Sequence, residues 1–222
     1  MPRAILLLTG EVEAPYLADR LRRADPALAI TAAADRASLD RALDDAPPGL
    51  RLIAFCTPVI VPADRLAALS GPAYNFHPGP PAFPGRHPAR HALYAGAARF
   101  GATVHEMAAR VDAGPIVAVE EWDIAPGADA PRLDAEAYQA LLRLFSALAD
   151  RLATGDAPIG ASGHRWGHRR WSGRDVERLL RIDPDIAGDE LDRRIRAFGD
   201  IVPSPLHTVI AGRRFRWEPP AG

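Results

Sequence analysis

Lysine is missing from this chain: all 27 basic residues among its 222 are arginine. Without a lysine, no Schiff base and no amine general base can be drawn, which excludes imine chemistry on a carbonyl substrate. The simplest cause of that bias is a G+C-rich genome. Cysteine is nearly missing too, Cys56 being the single thiol, so an internal disulfide and a thiolate metal cluster are both ruled out. Long apolar runs are lacking. The N-terminal AILLL is too short to span a membrane and is followed by acidic residues instead of a small-residue cleavage site, so the expected address is cytoplasmic, with no membrane partner. The net charge of -1 leaves no overall positive field to draw in nucleic acid, and none is expected as a partner. A glycine-rich phosphate fingerprint is lacking after the first strand, where TGEVEAP stands, and this disfavours a dinucleotide cofactor.

What is present reads as an ordinary soluble globular protein, 48% hydrophobic and 25% charged. Residues 4–8 (AILLL) form a continuous apolar run of the kind that a strand buried on both faces shows. Residues 14–23 have helical spacing, 28–33 suit a second strand, 36–45 a second helix and 50–56 a third strand. A helix at 62–69 leads to a strand at 72–77, which runs into the prolines at 78, 80, 81 and 84, a stiff loop outside a strand end. A helix at 88–97 and strands at 102–107 and 115–121 follow, the two strands being joined by a turn that holds Asp112 and Gly114. The amphipathic stretch 134–153 is the clearest helix. The alternation predicts an α/β fold, a Rossmann-like, mostly parallel sheet with helices on both faces. At 154–172 the composition shifts to Gly, His, Arg and Trp. Beyond it the pattern gives a helix from about Gly173 capped by Ser172 and Asp175, another at 188–198, and a hairpin. The expected division is a catalytic domain over 1–153 and a small C-terminal α+β appendage over 154–222.

Asn75-Phe76-His77 is the most informative stretch, because residues two apart in a strand point to one face. A carboxamide and an imidazole therefore project together beside the proline-rich loop, and both can donate hydrogen bonds. Two such donors suit the oxyanion of an acyl transfer, where one well-placed donor is worth roughly 3 to 4 kcal/mol. Asp112 could orient the histidine, hold it protonated, or accept a proton. On residue chemistry alone, an N-x-H pair and a turn Asp before Gly are more often structural.

The order and spacing of Asn75-Phe76-His77-Pro78-Gly79-Pro80-Pro81, Phe83-Pro84-Gly85, Phe100-Gly101-Ala102-Thr103-Val104-His105 and Val111-Asp112-Ala113-Gly114-Pro115-Ile116 resemble the signature of the folate-dependent formyltransferases. That family includes the glycinamide ribonucleotide, methionyl-tRNA and sugar N-formyltransferases. The likeness runs from about residue 50 to 122; the first fifty residues match only as strand and helix. The resemblance implies 10-formyltetrahydrofolate as co-substrate, no metal, and a small-molecule amine as acceptor. It places the catalytic residues at Asn75, His77 and Asp112. It sets the pterin of the donor against Thr57, Pro58, Val59 and Ile60 and against Met107, Ala109, Arg110 and Val111. Arg86, Arg90 and His105 are expected to face the acceptor or the glutamate tail of the donor. The loop PGPPAFPGRHP and the tail at Ile195-Arg196-Ala197-Phe198 look most like the sugar-modifying branch. A formyl-folate hydrolase, a glycinamide ribonucleotide-type transferase and a non-catalytic binding module are the alternatives, and a homodimer is left open.

Two other groupings draw less weight. His87 with His91, and His164 with His168, stand four apart like helical metal ligands but lack a third ligand nearby. Arg165, Arg169, Arg170 and Arg174 alternate with Trp166 and Trp171, which reads either as a nucleotide-stacking patch or as a solvated basic surface.

Overall fold

The computed structural model describes residues 4–155 and 157–219. Its six-stranded sheet has the order β2-β1-β3-β4-β5-β6. Strands β1 (Ala4–Leu8), β2 (Ala29–Ala33), β3 (Arg51–Phe55) and β4 (Ala73–His77) run parallel, while β5 (Arg99–Glu106) and β6 (Ile116–Asp123) are antiparallel additions at one edge. The apolar runs in β1 and β3 are explained by burial on both faces. Ile5, Leu7, Ile53 and Phe55 enter one core with Tyr74, Phe76 and Phe145, whereas Leu6, Leu8, Leu52 and Ala54 enter the core on the opposite face. Tyr74 and Phe76 commit β4 to the first core, so Asn75 and His77 must point the other way.

Helices α1 (Glu13–Ala24), α2 (Arg36–Asp44), α3 (Ala63–Ala68) and α4 (Pro88–Ala95) follow the parallel strands, and α5 (Ala130–Thr154) closes the first core. The sequence pattern starts α5 at 134, four residues late, because Pro131 reads as a breaker. In the first turn its missing N–H has no partner to lose, and Asp129 caps the helix by accepting from the Arg132 N–H at 2.9 Å. At the far end, the buried Arg51 guanidinium donates to the carbonyls of Arg151, Leu152 and Gly155 and satisfies the last turn.

After residues 157–172, which run back across the sheet without helix or strand of their own, come α6 (Gly173–Leu180), α7 (Gly188–Phe198) and the hairpin of β7 (His207–Ile210) and β8 (Arg213–Arg216). Helices α6 and α7 and the residues flanking the hairpin, Leu206 and Trp217, share a hydrophobic cluster with α4, α5 and β5, built on Phe100, Leu133, Trp171, Phe198 and Leu206. His91 on α4 is stacked on Trp171, with ring centroids 4.0 Å apart and planes at 18°, and is only 6% exposed.

Burial, aided by Arg169, pushes the His91 pKa down from 6.5 to about 4. The unfolded chain therefore binds more protons than the folded one between those values. Stability contributed by the neutral ring is present above pH 6.5 and lost as the pH falls toward 4. His91→Phe is expected to flatten this dependence, narrowing the acid loss by on the order of 2 kcal/mol after allowance for solvent screening. Urea melts of both proteins across pH 7 to 4 check it; parallel curves would refute it.

Candidate active site

β4 delivers Asn75 and His77 to the second face of the sheet, and β5 supplies the neighbour that neither can avoid. In the antiparallel register Asn75 lies opposite His105, next to a bulge between Val104 and His105. The Asn75 Nδ2 and His105 Nε2 atoms are 3.1 Å apart. His105 Nδ1 lies 2.9 Å from the Glu106 carbonyl, which can only accept, so the ring carries a proton there. Nε2 then accepts from the Asn75 carboxamide when the ring is neutral, and donates to Asp112 Oδ1, 3.3 Å away, when it is charged.

Asp112 arrives on the turn 107–115 between β5 and β6, with a left-handed φ of 47° that an L side chain adopts at a cost. Its neighbours hold that conformation in place. The Gly85 N–H donates to Asp112 Oδ2 at 2.8 Å, and Arg170 donates to the carbonyl of Val111. Gly85 itself requires φ of 101°, and a Cβ there would lie 2.4 Å from the Trp171 carbonyl. Asp112 is 6% exposed, and burial alone would raise its pKa. The hydrogen bond from His105, the positive charge that the His77 and His105 rings take on in the acid range where a carboxyl titrates, and the Gly85 N–H outweigh burial and hold the carboxyl at about 2. It is a carboxylate throughout the neutral range.

His77 Nδ1 stands 3.7 Å from Asp112 Oδ2, a Coulombic contact longer than a hydrogen bond. Its Nε2 lies 3.4 Å from the Phe83 carbonyl. Burial lowers the pKa of this 5%-exposed ring, against the pull of Asp112, so the resting imidazole is neutral. A negative charge developing beside it would reverse that balance, because the ring already faces a carboxylate.

Two cavities meet on this cluster. A narrow one of about 80 Å³ is lined by Thr57, Pro58, Val59, Ile60, Met107 and Val111 together with Asn75, His105 and Asp112. An open one of about 530 Å³ is lined by His77, Arg86, His87, Arg110, Arg170 and Trp171 among others, and it shares Thr57, Pro58, Ile60, Asn75, Val111 and Asp112 with the first. Ile60 and Val111 are 55% and 41% exposed at the rim.

Asn75, His77 and Asp112 thus stand together, as the residue pattern led us to expect. Of the segments proposed for the donor, Thr57–Ile60, Met107 and Val111 line the narrow cavity, Arg110 lines only the wide one, and Ala109 lines neither. Arg86 lines the wide cavity. Arg90 does not: its guanidinium pairs with both carboxylate oxygens of Asp200 at 2.6 and 3.1 Å and with the Ala197 carbonyl, because the α4 face that carries it packs on α7. His105 lines the narrow cavity, is 2% exposed, and lies against Asn75 and Asp112. In the arginine- and tryptophan-rich stretch, Arg165, Arg169 and Arg174 are exposed, whereas the tryptophans are engaged with the protein. Trp171 is buried to 1% exposure and the Trp166 indole N–H is spent on the Gly114 carbonyl, as apolar bulk of that size favours. Among the described residues no group of three His, Cys, Asp or Glu side chains could hold a metal, the His87–His91 and His164–His168 pairs included. The Gly85 N–H went unread in the sequence, since a backbone donor leaves no periodic signal, and the segment 157–172 showed there only as a shift in composition, not as a partner of the site.

The fold has clear relatives. The Rv3404c protein of Mycobacterium tuberculosis superposes with a TM-score of 0.72 at 20% identity, covering 98% of this chain and 97% of that one. A sugar N-formyltransferase from Shewanella sp. FDAARGOS_354 gives 0.73 at 15% identity, covering 100% and 98%. The N-formyltransferase of Helicobacter canadensis, in complex with folinic acid and dTDP-3-aminofucose, gives 0.65 at 13% identity, covering 89% and 80%. No curated protein matches the sequence. At these identities the likeness establishes architecture alone. In sequence, the pattern described as formyl transferase matches residues 18–144, more than half of the chain and a span that contains Asn75, His77 and Asp112. The chain belongs to the formyl transferase family, and it is a formyltransferase.

Proposed function

We propose that the chain transfers the formyl group of 10-formyltetrahydrofolate to the primary amine of a nucleotide-linked amino sugar. The observation that carries this reading is the meeting of a narrow, apolar-rimmed slot and a wide, arginine-lined cleft on one buried Asn/His/Asp cluster. A flat pterin would cover Ile60 and Val111 in the slot, in keeping with their exposure. Arg86, Arg110 and Arg170 line the cleft and suit the phosphates of a nucleotide-linked acceptor. The Helicobacter relative binds a folate and a nucleotide-linked amino sugar together, which supports the same pairing here.

The chemistry follows from the protonation states. The neutral amine attacks the formyl carbon, forming a C–N bond and moving the carbonyl electron pair onto oxygen. Asn75 Nδ2–H and a ring N–H of His77 donate to that oxyanion. The proton shed by the amine nitrogen passes to the His77 ring, directly or through water, and Asp112 stabilises the resulting imidazolium. With a pKa of about 2 the carboxylate is a poor base and a good counter-charge, so it does not itself keep the proton. When the oxyanion collapses, the bond to N10 breaks, and the His77 proton goes to N10 to complete tetrahydrofolate.

Incubating the protein with 10-formyltetrahydrofolate and a panel of dTDP- and UDP-linked amino sugars tests the reading. The expected result is one formylated sugar and one tetrahydrofolate per turnover. Absence of a formamide product with every amine, together with no calorimetric binding of folinic acid, overturns it. Formate released without any amine would assign the cluster to hydrolysis instead.

A further inference from the structure

Residues 157–172 contribute nothing to the Asn/His/Asp cluster yet grip both loops that carry it. The segment is anchored where the Ile159 N–H donates to the Tyr74 hydroxyl at 2.8 Å. At the start of β6 the Ser162 N–H reaches the Ile116 carbonyl at 2.7 Å, and on the turn 107–115 the Trp166 indole N–H reaches the Gly114 carbonyl at 2.9 Å and Arg170 reaches Val111. On the loop after β4, the Gly167 N–H donates to the Pro81 carbonyl at 2.8 Å, the Trp171 N–H donates to the Pro84 carbonyl at 3.2 Å, and the Trp171 carbonyl accepts from the Arg86 N–H at 3.0 Å, on either side of Gly85. Approach is so close that a Cβ on Gly167 would lie 2.7 Å from the Ala82 carbonyl.

Between these anchors the Trp166 ring touches both imidazoles. Its centroid is 4.9 Å from that of His105 with planes at 87°, and 5.9 Å from that of His77 with planes at 75°. We propose that Trp166 is a positioning residue for the formyl transfer proposed above, fixing the rotamers of His77 and His105 and keeping water off them. Two imidazoles whose ring nitrogens must meet a carboxamide, a carboxylate and a developing oxyanion cannot be free to turn about χ2. The indole, its plane steeply inclined to both rings and tethered by its own N–H to the Asp112 turn, packs against the cluster from the segment 157–172. Asp112 and His105 are the titratable groups that face His77; the segment itself presents it with an uncharged ring.

The test compares the full chain with Trp166→Ala and Trp166→Phe. NMR titration follows the His77 ring, calorimetry the affinity for folinic acid, and kinetics the transfer to a dTDP-linked amino sugar. Trp166→Ala is expected to raise the His77 titration midpoint toward 6.5, because water gains access to the ring. It is expected to lower kcat by about 10- to 100-fold with the folinic acid Kd unchanged. Trp166→Phe is expected to restore both the midpoint and most of kcat, a rescue that a merely structural role would not produce. A folded Trp166→Ala protein with a wild-type titration, or a kcat loss shared in full by Trp166→Phe, overturns the proposal. Should Trp166→Ala lose its native circular dichroism, Trp166→Leu takes its place, filling the space without a ring. If the wild-type protein formylates no amine, the transfer reading falls, while the titration arm still decides what the indole does to His77.

Discussion

Asp112→Asn is expected to cut formyl transfer about 1000-fold while leaving the fold intact. The asparagine can still accept from the Gly85 N–H, so the left-handed turn keeps its anchor. What disappears is the charge. Without it the imidazolium formed when His77 takes the amine proton faces a neutral group, in a site too buried for water to compensate. Folinic acid binding should be retained, since the narrow cavity is shaped mainly by other residues. Single-turnover kinetics beside calorimetry separate the two effects, and a variant that keeps a tenth of wild-type activity would remove Asp112 from the mechanism. The stability contributed by the ionised carboxylate is present above pH 3.8 and lost as the pH falls through about 2, so the two proteins should converge in stability under strong acid.

Gly114→Ala is expected to be the most damaging small substitution in the chain. The φ of Gly114 is not in the left-handed range, so ordinary backbone preference is no obstacle; the obstacle is the Glu106 carbonyl, 1.9 Å from where a Cβ would stand. That carbonyl belongs to the last residue of β5 and cannot move cheaply, because the Glu106 and Met107 N–H groups are bonded to Pro115 and Ala73 at 2.9 and 2.7 Å. The turn must shift instead, and it carries Asp112 and the acceptor carbonyl for Trp166. A loss of about 2 to 4 kcal/mol in urea melts is expected, with loss of transfer activity. Gly127→Ala is the control. Its φ of 73° strains an alanine, but nothing lies within 4 Å, so about 1 kcal/mol is expected. Equal melts for the two variants would show that the turn can yield.

The parts of the fold legible in the sequence were those with local causes. The doubly buried runs of β1 and β3, the stripe of α5, and the Ser172–Asp175 capping box announce themselves within a few residues. The β4 pattern placed Asn75 and His77 on one face because Tyr74 and Phe76 claim the other. The contact of His105 with Asn75 was not legible, because it depends on the register of β5 against β4, and pairing across an antiparallel ladder leaves no mark in either strand alone. Arg90 was misread for a related reason. It sits four residues after Arg86, but the two belong to different surroundings, since α4 turns its Arg90 face toward Asp200 in the turn after α7, more than a hundred residues away in sequence. Trp171 shows a third kind of blindness. A composition rich in arginine and tryptophan suggests surface, yet burial of the indole against His91 decides the path of the coil.

That the covering coil lies well downstream of Asp112, beyond the whole of α5, bears on the life of the chain during synthesis. The sheet, the two histidines and the aspartate leave the ribosome before the residues that seal them in, because domains are made from the N-terminus onward. A nascent chain halted within α5 would lack the Trp166 ring that lies against His77 and His105. Competence therefore belongs to the late stages of translation, when the indole at position 166 has emerged and closed over the rings.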